Sequence, residues 1–235
     1  MNSSSFSRIA TRNIFNSLFI VTTFIFSACH ENKSDKQCAV QKSFSRHDMD
    51  SIAKIAKAEK DSLRMVALKA TAYFPLLKGG PGSGVLPVDG IDEIPDPNRD
   101  YKLMFEFSQG VDDTAQNKRN LGLVEIARVL NLHIASGIPL THVHAVVVTH
   151  GAALYSIMNQ DAFRAKYKKD NPNDSLITEM MNDGVKFVAC GQAMRFADVE
   201  KSQLHAGVKV ALTAQVMKSN FLGQGYVSYD ISDDK

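Results

Sequence analysis

From Tyr101 onward, short apolar runs alternate with stretches of helical periodicity, and this alternation constrains the fold more than any other feature. The run Val143–Thr149 (VHAVVVT) is rich in valine, as expected of a strand covered on both faces of a sheet. Tyr101–Ser108 (YKLMFEFS) and Val185–Cys190 (VKFVAC) are two further strand candidates. The pattern predicts an α/β domain over 101–235, a three-layer sandwich with a parallel sheet between helices.

The remaining elements follow from the same periodicities. The predicted helices are Asn117–Ala135, Ala152–Lys168, Ser175–Asp183, a short one near Asp198–Leu204 and one near Ala214–Leu222, and the last two strands are Val208–Leu212 and Tyr226–Ile231. Functional residues of open parallel sheets gather at the carboxyl ends of the strands. Three places therefore stand out: 108–110, 150–151 and 190–192.

Cys190 ends the third predicted strand, and Gly191 allows the backbone to turn there toward a helix, with Gln192 next. The partial positive charge at helix N-termini favours a thiolate, which is the nucleophilic form of cysteine. We expect such a thiol to be partly exposed and catalytic. The alternative is a small apolar residue that fills the end of a buried strand.

Three histidines, at positions 142, 144 and 150, share one face of the second predicted strand because their spacing is even. Six residues of strand place His144 and His150 roughly 20 Å apart, so they do not share one metal ion. His142 and His144 alone supply two ligands, and no metal site is predicted. His150, beside Gly151 at the end of the strand, is the better candidate for an acid, a base or a binding residue.

Asn117, Arg119 and Asn120 open the first helix of the domain and can present donors to an anion. Solvated residues at a helix start explain most of this pattern, and Asn120 is kept as a candidate binding residue. The glycine-rich segment 79–84 (GGPGSG) lacks the Lys-Ser/Thr ending of a P-loop, and proline removes amide donors. No motif indicates hydride transfer or another cofactor, and no cofactor is predicted.

Composition excludes some classes of protein. The 235 residues are 44% apolar and 22% charged, ordinary values for a folded domain. Lys and Arg total 27 against 25 Asp and Glu, and residues 1–28 hold two of the arginines and no acid. The rest of the chain is therefore neutral, which argues against a nucleic-acid binder. Three cysteines are too few for a fold built on disulfides.

The N-terminus has the pattern of a secretory signal. Arg8 and Arg12 precede a short apolar run (LFIVTTFIF), and Ser27-Ala28-Cys29 follows it. The pattern resembles the bacterial lipobox, with a signal peptide at 1–28 and a lipid on Cys29. The polar stretch 29–46 then predicts a flexible, lipid-anchored tether. We expect the protein to be exported and anchored to the bacterial cell envelope, on the periplasmic side or at the outer membrane.

Two segments join this tether to the α/β domain. Residues 47–72 have one apolar stripe at helical spacing and predict an amphipathic helix that packs on the domain or on another copy. Residues 73–100 contain five of the seven prolines and predict a turn-rich connector.

Several segments, in this order, resemble the DsrE/DsrF-like family: YKLMFEFS, the Asn-rich helix start, VHAVVVTHGAALYSI, DGVKFVACGQAM and LGQGYVSYDI. The resemblance spans about 101–231, and Gln192 and Ala193 replace the frequent Asn and Thr. It implies a compact α/β sandwich that assembles into trimers or hexamers. Better-known members relay sulfur as a cysteine persulfide, which would correspond to Cys190.

Three functions remain open on this evidence. The first is a thiol-based sulfur carrier or sulfurtransferase of the cell envelope that uses Cys190. The second is a non-catalytic, oligomeric module that binds a small ligand or an envelope partner. The third is a redox protein that pairs Cys190 with Cys38 of the tether.

Lipidation of Cys29 is testable by substitution. Cys29→Ser removes the thiol that carries the lipid, so the processing of the signal should change and the protein should leave the membrane fraction. Cell fractionation with immunoblotting measures both effects. A variant that stays in the membrane with unchanged processing would show that Cys29 is not the anchor.

Overall fold

The computed structural model describes residues 46–110 and 118–233. The chain divides into two units, Met1–Asp50 and Ser51–Lys235. The predicted signal peptide, Cys29, Cys38 and the predicted tether up to residue 45 lie outside the described residues. Of the first unit only the start of a helix is described, and the fold below is that of the second unit.

The centre of the second unit is a five-stranded, all-parallel sheet with the order β4-β3-β2-β1-β5. Its strands are β1 (Tyr101–Phe107), β2 (Val143–Thr149), β3 (Lys186–Cys190), β4 (Lys209–Ala211) and β5 (Val227–Ile231). All five lie within a residue or two of the predicted runs. The predicted α/β sandwich with a parallel sheet is confirmed.

The described ranges contain six α-helices: α1 (Arg46–Ala70), α2 (Leu121–Ala135), α3 (Gln160–Tyr167), α4 (Asp174–Asn182), α5 (Gly191–Ala197) and α6 (Ala214–Gly223). The single helix predicted over 152–168 is wrong in its first half, where 151–157 form a 3-10 helix. The helix is interrupted at Met158, because the backbone of this residue pairs with Leu204 in an isolated antiparallel bridge. The Asn159 side chain then caps α3 by accepting a hydrogen bond from the Ala162 amide.

The helix predicted near 198–204 is displaced. The α-helix instead begins immediately after β3, as α5, and only Lys201–Gln203 form a 3-10 turn. A helix that starts at Gly191 places its first turn directly beside Cys190.

The two faces of the sheet bury cores of different size. On one face, a large cluster includes Leu103, Phe105 and Phe107 of β1 together with residues of α2 and α4. On the other, a small cluster of Met104, three valines and Cys190 packs against Ala214 and the rest of α6. Alternation along each strand assigns residues to these faces, and the second face holds the functional candidates.

The predicted amphipathic helix is present as α1, but its apolar stripe is exposed. Ile52, Ile55, Leu63 and Val66 each have about half or more of their surface accessible. The expected packing of α1 on its own domain is not observed, and packing on a second copy stays a prediction. Among the described residues, no helix is long and apolar enough to span a bilayer.

The Pro/Gly-rich connector is fixed to the domain by one buried amide. Asn131 of α2 accepts from the amides of Leu76 and Leu77 at 3.1 and 2.8 Å, and donates to the carbonyls of Leu77 and Ser83 at 2.8 Å. Leu77 is itself part of the large core. Asn131 thus supplies the hydrogen bonds that this irregular backbone lacks.

Replacement of Asn131 should destabilise the protein. Asn131→Ala leaves two amides and two carbonyls without these partners, so the free energy of unfolding should fall by about 3 kcal/mol. Thermal or denaturant unfolding measures the change, with Asn220→Ala on the exposed face of α6 as the matched control. An equal stability of both variants would contradict the role assigned to this amide.

Candidate functional site

A pocket of about 210 Å³ opens at the carboxyl ends of β1, β2 and β3, on the side of α6. The strand ends contribute Glu106, His150 and Cys190, which belong to three neighbouring strands. Its lining is completed by Gln192, Ala193, Phe196, Ala214 and Gln215. The pocket therefore brings together two of the predicted catalytic residues, Cys190 and His150, with Gln192.

Cys190 is more buried than the sequence predicted. Its relative exposure is 5%, because the start of α5 and Ala214 of α6 cover it. The thiol packs with Val148 and Val188 and also lines the pocket. It therefore fills the end of a core and faces a cavity at once, and only small molecules have room to reach the sulfur.

Gly191 allows α5 to approach β4 closely. A Cβ at this position would lie 2.9 Å from the Ala211 carbonyl oxygen, closer than real Cβ contacts. The next amide, of Gln192, donates to the Leu212 carbonyl at 3.1 Å. The glycine thus fixes the first turn of α5, which forms one wall of the pocket.

His150 is held by two strands. Its amide donates to the Phe107 carbonyl at 3.0 Å, which continues the β1–β2 pairing by one residue. Its Nε2 lies 3.2 Å from Oε1 of Glu106, whose other oxygen, Oε2, forms a salt bridge with Lys218 of α6. The imidazole, the carboxylate and the ammonium form one partly buried chain of polar groups.

Sequence reasoning missed Glu106 and Lys218. Glu106 had a detectable signal, because an acidic residue inside an otherwise apolar strand (YKLMFEF) is costly to bury without a partner. Lys218 had none, since only the packing of α6 on the sheet brings it to Glu106. Phe196, which is 92% exposed at the mouth of the pocket, was also missed.

Three predicted binding residues lie outside the pocket lining: Gly191, which packs against β4, Gly151 and Asn120. Gly151 begins the 3-10 helix after β2 with a positive φ of 57°. Asn120 is buried and caps α2 by accepting from the Gly122 amide at 2.7 Å, while its Nδ2 donates to the Gln109 carbonyl and to Ser156 Oγ, both at 2.9 Å. These contacts give Asn120 a structural task, and its binding role stays a prediction.

His142 and His144 lie at the opposite end of the sheet, beside Asp100. Nδ1 of His142 and Nε2 of His144 are 3.0 and 3.2 Å from the same oxygen, Oδ1 of Asp100. Hydrogen bonds from the two imidazoles lower the pKa of this carboxyl below its usual value. Within the described ranges, no cluster of three His, Cys, Asp or Glu residues has the arrangement of a metal site.

The fold and pocket define an α/β protein with a single cysteine at the end of a central parallel strand. Comparison with protein families identifies the class more closely. The model of the DsrE/DsrF-like family matches residues 101–226, more than half of the chain. The chain belongs to the DsrE/DsrF-like family, as the resemblance predicted.

One match among solved structures is the following. The protein of unknown function MTH1491 from Methanobacterium thermoautotrophicum is 21% identical, with a TM-score of 0.43. The alignment covers 56% of this chain and 99% of that one. No curated protein matches the chain.

Gly191 provides a test of how the pocket is built. Gly191→Ala introduces a Cβ against the Ala211 carbonyl, so α5 must shift and the free energy of unfolding should fall by about 2 kcal/mol. Gly223→Ala at the end of α6 has no atom within 4 Å of the new Cβ and serves as the control. Unfolding curves compare the two, and equal stabilities would refute the close approach at Gly191.

Proposed function

We propose that this protein is a thiol-based sulfur carrier, of sulfurtransferase type, that uses Cys190. The observation that carries the proposal is the pocket, which the Cys190 thiol and the His150 imidazole both line, at adjacent strand ends. Membership of the DsrE/DsrF-like family supports it. Gly191 and Gln192 shape the wall beside the sulfur.

The proposed step is the capture of one sulfur atom from a polysulfide or a similar sulfane donor. The Cys190 thiolate attacks a sulfur of the donor, an S–S bond forms, and an S–S bond of the donor breaks. The electron pair of that bond leaves with the shortened donor, so neither an oxidant nor a reductant is consumed. The thiol's proton must first move to a base, and His150 is the imidazole in the pocket.

The size and character of the pocket support a small donor. Much of the pocket lining is apolar, with side chains of Ala193, Phe196 and Ala214. Because Cys190 is only 5% exposed, large thiols cannot reach its sulfur. A small inorganic sulfur species meets these limits. A bulky partner would need to open α5 first.

A second function, a non-catalytic module that binds a small ligand or an envelope partner, is favoured by the packing of Cys190. The side chain contacts the apolar cluster of Val148, Val188 and Ala214, as a purely structural cysteine would. In that case the same pocket binds a ligand and the thiol does not react.

We further propose that the protein acts in the cell envelope as a homo-oligomer, a trimer or hexamer. The signal-like N-terminus with Cys29 supports export and a lipid anchor. The exposed stripe of α1 supports self-association, because Leu63 and Val66 are left accessible within one copy. The neutral charge balance supports the absence of a nucleic-acid partner.

The sulfur-carrier proposal predicts a modification on one peptide. Treatment of the folded protein with polysulfide should add the mass of one sulfur atom to the tryptic peptide 187–195, which contains Cys190. A reducing agent should remove this sulfur, because a persulfide S–S bond is reducible. The protein is treated with polysulfide while folded and is then digested, and mass spectrometry of the peptide measures the added sulfur.

The tether thiol supplies an internal control. Peptide 37–42, which contains Cys38, reports the sulfur loading of a thiol outside the pocket. The variant Cys190→Ser removes the proposed site and has a side chain of nearly the same size. Equal loading of both peptides, or loading of 187–195 only after unfolding, would reject the sulfur carrier and favour the binding module.

A further inference from the structure

Three side chains form a line across neighbouring strands and continue into α6. The pairing of β1 with β2 and of β2 with β3 puts Glu106, His150 and Cys190 on the same face. Cys190 follows Ala189, whose register partner is Thr149, so Cys190 and His150 occupy equivalent positions on strands about 4.8 Å apart. The line ends at Lys218, which pairs with Glu106.

The contact between Glu106 and His150 determines which imidazole nitrogen carries the hydrogen. An ionised carboxylate only accepts hydrogen bonds, so Nε2 of His150, 3.2 Å from Glu106 Oε1, must be the donor. In the neutral ring, Nδ1 then has the free lone pair. A carboxylate at the far nitrogen also stabilises the imidazolium that forms when Nδ1 takes a proton.

We propose that Glu106 is a positioning residue for the reaction of Cys190: it fixes His150 as the Nε2–H tautomer, so that Nδ1 accepts the thiol's proton. Lys218 holds the carboxylate in place through Oε2. The inference rests on the proposed use of Cys190 as a nucleophile. In the step, the S–H bond breaks, the proton moves to Nδ1, and the resulting thiolate attacks the sulfane sulfur.

The charged and titratable groups that face this line come from four elements. Glu106 of β1 contacts His150, Lys218 of α6 contacts Glu106, and Cys190 of β3 lines the same pocket as His150. Asp230 of β5 is the register partner of Glu106 and lies on the same face, with its carboxylate exposed. Removal of the Glu106 charge should therefore change proton transfer from Cys190, whereas Asp230 lies on β5, two strands away from β2 and three from β3.

The first experiment measures the alkylation rate of Cys190 by iodoacetamide as a function of pH, read from peptide 187–195 of the full chain. Glu106→Gln should reduce the rate at pH 7 about tenfold and move the rise of the rate to higher pH, because the base loses its partner. Lys218→Met should give a smaller change in the same direction. Glu125→Gln, which breaks the Glu125–Arg128 ion pair on α2, is the matched control and should keep the wild-type profile.

The second experiment reads the tautomer directly. Nitrogen NMR of ¹⁵N-histidine protein, with the His150 signal assigned by His150→Gln, should show Nε2–H in the wild type and a mixed or Nδ1–H form in Glu106→Gln. A merely structural ion pair would move neither the pH profile nor the tautomer. If both are unchanged in Glu106→Gln, the inference is wrong.

The outcomes separate this inference from the proposed function. If polysulfide fails to load Cys190 but Glu106→Gln still alters the alkylation profile and the tautomer, the sulfur carrier is wrong and the positioning role of Glu106 stands. If loading occurs and Glu106→Gln behaves as the wild type, the carrier stands and the positioning role falls.

Discussion

The parallel register of β1, β2 and β3 is the constraint on which the rest of the structure depends. Side chains alternate along each strand, so the same pairing decides which residues enter the large core and which face α6. A slip of one residue in β3 would turn Phe187 toward α6 and Cys190 into the opposite core. The site and the core are thus specified together, and neither can be changed without the other.

Cys190 is both buried and next to a cavity. Its side chain packs among valines, and Ala214 of α6 covers it. It lines the pocket together with His150 at the adjacent strand end, and the proposed reaction uses this imidazole as the proton acceptor. Shielding by α5 also limits exchange with bulky disulfides, which would matter in the oxidising compartment to which export is proposed.

Much of the fold was predictable from sequence because its signals are local. Valine-rich β2 and the alternation in β1 need no tertiary information, and the carboxyl-end rule led to His150 and Cys190, which line one pocket. The start of α5 was misplaced, because the need for a glycine at 191 comes from a carbonyl of another strand, Ala211. The exposure of Cys190 was misjudged for a similar reason, since α6 and α5 cover it only after folding.

Other features of the site were beyond local signals. The partnership of Glu106 with Lys218 joins residues more than a hundred positions apart, and it depends on how α6 lies on the sheet. The exposure of the apolar stripe of α1 among the described residues was equally hidden, because an amphipathic pattern indicates a buried face without identifying what covers it.

The hydrogen bonds between Asn131 and the connector also determine where the chain can be truncated without loss of domain contacts. The family match begins at residue 101, yet Leu77 completes the core and the backbone around it satisfies the buried amide of α2. A truncated chain that starts at residue 101 would lose Leu77. The side-chain amide of Asn131 would then lack its hydrogen-bond partners. The smallest piece that keeps these contacts therefore starts near Tyr73, because residues 76–83 pack on α2 and complete its hydrogen bonds.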